Sequence, residues 1–110
     1  PYGFQTRFEE VQGTNPEELI GAAHAGCFSM ALAFKLAEKG FHPKEIKTDA
    51  KVSLDKEGAG FAISGVKLTL RASIPEITDK VFQELAADAK ANCPVSKALK
   101  VPISLDAALS

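Results

Sequence analysis

NPEELIGAAHAGCFSMALAFKLAEKG, residues 15–40, is the longest apolar stretch of the chain and holds one of its two cysteines. Asn15 is a good N-cap, Pro16 suits the first helical position, and Glu18 stands where the acid of a capping box reaches back. The far end is marked by Lys39 in the last turn and by Gly40, placed for the left-handed conformation that closes a helix. Between these ends Leu19, Ile20, Cys27, Phe28, Met30, Leu32, Phe34 and many alanines leave little polar face, so the segment is expected to be a central helix buried on most sides. Gly21, Ala22, Ala23, Ala25 and Gly26 surround His24 with small residues, which lets another backbone approach just before Cys27.

The rest of the chain is read outward from this helix. Pro1 to Glu10 alternates loosely around Tyr2, Phe4 and Phe8 and is expected to be extended, with Val11 to Thr14 a loop into the helix. After a turn at Phe41 to Lys44, the alternation of Thr48, Ala50, Val52 and Leu54 with charged neighbours predicts a strand with one wet face. Asp55 to Gly60 forms a turn into a second strand, Phe61 to Ile74, and the two should pair as a hairpin. In that second strand the apolar phase shifts between Ile63 and Val66, which predicts a β-bulge at Ser64-Gly65. Thr78 is expected to cap an amphipathic helix through Val81, Phe82, Leu85, Ala86 and Ala89, ending near Asn92. Pro94 then opens a short helical turn with Cys93 beside its N-terminus, and Ile103, Leu105 and Ala107 alternate as a last strand. The layout is α+β.

A chain of 110 residues supports one domain with a single core. The formal net charge of −1 and the lack of a basic run argue against nucleic acid or an acidic membrane surface as partners. Two cysteines so far apart form no disulfide framework and favour a reducing, cytoplasmic setting or a redox role. His24, Ser29, Lys35 and Lys39 interrupt the apolar stretch, which is expected to be a poor membrane span.

The chemistry the residues offer on their own is open. Cys27 among alanines and phenylalanines fits a small core residue as well as a reactive thiol. Cys93 at a helix start is placed to ionise, or simply to pack. His24, one turn before Cys27, allows a Cys-His hydrolase, with His42 a surface turn residue. A non-catalytic dimeric binding module with two structural cysteines is the third alternative. No closely spaced set of metal ligands is present beyond His24 and Cys27, so no metal is expected. Arg7 and Glu17 are, by themselves, a surface arginine and a first-turn acid favoured by the helix dipole.

Three stretches together carry a resemblance: Pro1 to Glu9, Gly13 to Met30, and Asn92-Cys93-Pro94-Val95-Ser96. They are similar to the family of osmotically inducible protein C (OsmC) and organic hydroperoxide resistance (Ohr) proteins, nearer the OsmC branch, and their spacing matches across essentially the whole chain. The resemblance implies an OsmC-like fold, an antiparallel sheet with a long central helix, in an intertwined homodimer. It implies a thiol peroxidase that reduces organic hydroperoxides with two cysteines, no metal or flavin, and an external dithiol as reductant. Position by position, Cys27 matches the peroxidatic cysteine, Cys93 the resolving cysteine, Arg7 the arginine that stabilises the thiolate, and Glu17 the acid that holds this arginine. Phe28 and Met30 are expected to line an apolar substrate site. Members usually carry further strands before the arginine segment, so residues 1–110 are read as a single OsmC-like domain lacking them.

Overall fold

In the computed structural model of the chain, which describes residues 16–110, the elements run α1 (Pro16–Glu38), β1 (Glu45–Glu57), β2 (Gly60–Ser73), α2 (Asp79–Asn92), α3 (Pro94–Ala98) and β3 (Ile103–Leu109). Asn15 and the expected extended segment with Arg7 lie outside the described residues. The end of α1 follows the sequence signal: Gly40 has φ +83°, its N–H donates to Ala37 O, and the Phe41 N–H donates to Leu36 O at 2.9 Å. That pair of bonds is a Schellman closure, and Phe41 folds back onto the core beside it.

β1 and β2 form the expected antiparallel hairpin, turning at Gly58 with φ +58°. The pairing passes from Ser53 opposite Gly65 to Leu54 opposite Ile63, which leaves Ser64 as the extra residue of a bulge. The sheet is mixed rather than wholly antiparallel. β3 joins the other side of β2 in parallel, from Val66 opposite Ile103 to Ala72 opposite Leu109. A parallel neighbour needs a crossover, and α2 with α3 supplies it. Thr78 caps α2 by accepting from the Val81 N–H at 3.3 Å.

One face of β2, built by Val66, Leu68, Leu70 and Ala72, is buried against Phe28, Leu32 and Leu36 of α1 and Phe82, Leu85, Ala86 and Ala89 of α2. On α1 the buried positions are Glu17, Gly21, His24, Phe28, Leu32 and Leu36, a single stripe at steps of three and four residues. Gly21 lies on β1: a Cβ there would meet Ala50 O at 3.2 Å, so this glycine permits the close backbone approach expected before the cysteine. Nearby, the Ser29 hydroxyl donates to Thr48 Oγ1 at 2.7 Å.

Burial of α1 on most sides is not met within the chain. Leu19, Met30 and Phe34 are 51%, 75% and 65% exposed, because one layer of sheet and α2 cover only the opposite stripe. By length and composition alone α1 is also apolar enough to cross a bilayer, despite its polar interruptions. Its inward stripe, however, is packed against the sheet, and His24 and Ser29 find partners inside the chain.

Candidate active site

The two cysteines reach one point from different elements. Cys27 sits in the middle of α1, on the turn that faces α3, and Cys93 is both the C-cap of α2 and the N-cap of α3. Pro94 at the first helical position fixes this junction, since it has no N–H to lose and its φ suits a helix start. The Cys93 N–H still closes α2 by donating to Ala89 O at 2.9 Å, and its carbonyl accepts from the Lys97 N–H. Both its neighbours in the chain are thereby pinned, and the side chain is directed at α1. The two Sγ atoms are 2.8 Å apart and both cysteines are free thiols.

Access and acidity divide between the two sulfurs. Cys93 is fully buried, whereas Cys27 is partly exposed and lines an open apolar depression of about 600 Å³ with Ala23, Gly26, Met30, Ala31 and Pro94. Met30 is on this surface as expected. Phe28 is not: at 0% exposure it points from the opposite side of α1 into the core. Burial pushes the Cys27 thiol up, the hydrogen bond and charge of Cys93 push it further, and among the described residues the Val95 N–H acts against them. Burial also acts to raise Cys93, but hydrogen bonds from Cys27, from the Ser96 and Val95 N–H groups and from the Ser96 hydroxyl outweigh it, and the net effect is a lowering. The Cys93 thiol is placed to donate to Cys27 Sγ at 2.8 Å. Among the described residues, none that acts on Cys27 is a cation.

Glu17 is in the first turn of α1, buried to 7% exposure beside an opening lined by Ile20, Leu54, Phe61 and Ile63. A carboxylate is seldom so buried without a partner. Arg7 lies outside the described residues. His24 does not face Cys27 as a base would. Its Nε2 is 2.7 Å from the Ser96 hydroxyl, and its Nδ1 is buried with no partner among the described residues. Nothing in the local sequence around Ser96 signals a partner 72 residues away.

Comparison with known proteins gives a family model described as OsmC-like protein, which matches residues 9–107. The chain is 58% identical over 106 residues to Peroxiredoxin OsmC of Escherichia coli (strain K12), covering 96% of this chain and 74% of that protein. It is 32% identical over 99 residues to the organic hydroperoxide resistance protein of Xanthomonas axonopodis pv. citri, covering 89% and 68% respectively. Among solved structures, the organic hydroperoxide resistance protein OhrB of Bacillus subtilis superposes with a TM-score of 0.72 at 32% identity, over 92% of this chain and 73% of that one.

Proposed function

This chain belongs to the OsmC-like protein family, and on that premise we propose that it is a cysteine-based peroxidase in which Cys27 reduces an organic hydroperoxide and Cys93 resolves the product. The observation that carries this reading is the 2.8 Å approach of two free thiols, one open to an apolar depression and the other sealed behind it.

In the first step the Cys27 thiolate attacks the terminal oxygen of ROOH. An S–O bond forms, the O–O bond breaks, and the alkoxide leaves as alcohol after taking a proton, so that sulfur is oxidised to a sulfenic acid. Access decides which sulfur does this. Cys93 is the more acidic of the pair but is buried, and only Cys27 meets the depression. The first step therefore needs a cation to offset the upward push on Cys27, and Arg7, aimed by Glu17 through paired hydrogen bonds, is assigned that part. The apolar lining by Ala23, Met30 and Ala31 favours an alkyl hydroperoxide over hydrogen peroxide. In the second step Cys93 condenses with the sulfenic acid to an intramolecular disulfide, and an external dithiol returns both thiols.

The assembly is assigned as a homodimer. Leu19, Met30 and Phe34 form an exposed apolar stripe on α1, and a second copy of the same helix would cover it. The setting is assigned as the cytoplasm, where reduced thiols persist.

Single-turnover measurements test the roles. Cys27→Ser is expected to abolish peroxide consumption, whereas Cys93→Ser consumes one equivalent of cumene hydroperoxide and leaves a sulfenic acid that dimedone traps. Continued turnover by Cys27→Ser, together with no reaction at all in Cys93→Ser, reverses the assignment.

A further inference from the structure

His24 and Ser96 are not used by the chemistry above, yet they stand in line with it. His24 is three residues before Cys27 on α1, and Ser96 is three residues after Cys93 on α3. Two contacts therefore join the same two turns: Cys27 to Cys93 at 2.8 Å and His24 Nε2 to Ser96 Oγ at 2.7 Å. The Ser96 N–H and hydroxyl also act on the Cys93 sulfur, both lowering its pKa. The two contacts set the His24–Ser96 pair beside the Cys27–Cys93 pair, one helical turn along.

The direction of the His24–Ser96 hydrogen bond follows from the nitrogen left over. Nδ1 of His24 is buried and has no partner among the described residues. A buried N–H without an acceptor is costlier than a bare nitrogen without a donor, so the single proton of the neutral ring belongs on Nε2. Nε2–H then donates to Ser96 Oγ, and the Ser96 O–H is free to donate to Cys93. The opposite arrangement would turn the hydroxyl proton toward His24 and away from the sulfur.

We propose that His24 and Ser96 are positioning residues for the resolving step, orienting one hydroxyl donor onto Cys93 so that its thiolate is held ready against Cys27. This rests on the reading of Cys93 as the resolving thiol. In that step Cys93 Sγ attacks the sulfenic sulfur of Cys27, the S–S bond forms and the S–O bond breaks. Cys93 sulfur is oxidised and Cys27 sulfur is reduced to the disulfide level. The departing hydroxide takes up the proton that the Cys93 thiol has lost, giving water, and neither His24 nor Ser96 changes protonation over the step.

The experiment follows the reaction of one equivalent of cumene hydroperoxide by rapid quench, reading sulfenic acid as dimedone adduct and disulfide by intact mass. Loss of one hydrogen bond to a thiolate raises its pKa by about one unit, which at a pH below that pKa lowers the thiolate fraction about tenfold. Higher basicity returns about a factor of three through nucleophilicity. Ser96→Ala and His24→Leu are therefore expected to slow disulfide closure about three- to fourfold, with the effect confined to the closing phase. Ser96→Thr and His24→Gln, which restore a hydroxyl and a terminal amide donor, should bring closure back to within about twofold of the parent. Unslowed closure in Ser96→Ala overturns the proposal, as does a slowing in His24→Leu that glutamine does not rescue. A parent that forms no intramolecular disulfide overturns the assignment of Cys93 itself, and this proposal with it; a parent that closes normally beside an unslowed Ser96→Ala overturns this proposal alone.

Discussion

Replacing His24 by glutamine should flatten the acid side of the protein's stability profile. In the parent the ring is fully buried, and burial holds its pKa below the ordinary value of 6.5. Protonating it would place a new N–H at Nδ1, where none of the described residues offers a partner. Below about pH 6.5 the unfolded chain takes this proton while the folded chain still refuses it, so the unfolded state binds more protons and stability rises with pH. The contribution is complete above the unfolded value and is lost as pH falls toward the folded one. A full one-proton difference sets the steepest slope, about 1.4 kcal/mol per pH unit. Glutamine does not titrate, yet it keeps a donor toward Ser96, so the difference between parent and variant isolates the imidazole. Urea denaturation at intervals from about pH 5 to 8 measures it. Cys93, also lowered, loses stability in the same direction as pH falls, so both proteins should carry Cys93→Ser. Stability curves that run parallel through this range would refute the reasoning, because they would mean that the folded site accepts the proton as readily as water does.

Two further outcomes follow from the proposed mechanism and assembly. In a Cys93→Ser background, Arg7→Ala should move the pH dependence of Cys27 alkylation upward by about one to three units, with Arg7→Lys and Glu17→Ala retaining part of the effect; an unchanged titration removes the electrostatic role. Phe34→Asp should weaken a homodimer. Burying a large apolar side chain is worth about 1.5–3 kcal/mol, Phe34 is 65% exposed, and a two-fold interface uses it twice. A loss of about 2 kcal/mol or more raises the dimer Kd at least about thirtyfold, which sedimentation at graded concentration would show. A parent that sediments as a monomer at micromolar concentration counts against the assembly.

Much of the fold was legible in short windows of sequence. Gly40 and Phe41 close α1, Thr78 caps α2, Pro94 opens α3, and the slip of apolar phase near Ser64 marks the bulge. Each of these signals concerns hydrogen bonds or dihedrals within a few residues, where the side chain present and the backbone it acts on are neighbours in the chain. The candidate site was not legible in that way. Local reading left Cys27 undecided between core and chemistry, and it was the resemblance to a family, not spacing, that paired it with Cys93. It also placed Phe28 in the substrate lining, because a continuous apolar helix does not announce which face turns inward; the sheet chose Phe28, Leu32 and Leu36 for the core and left Met30 and Phe34 outside. The parallel docking of β3 and the meeting of His24 with Ser96 belong to the same class. They exist only because α2 and α3 carry the chain back across one face of β2, and packing of the whole core, rather than any local preference, sets where that return ends.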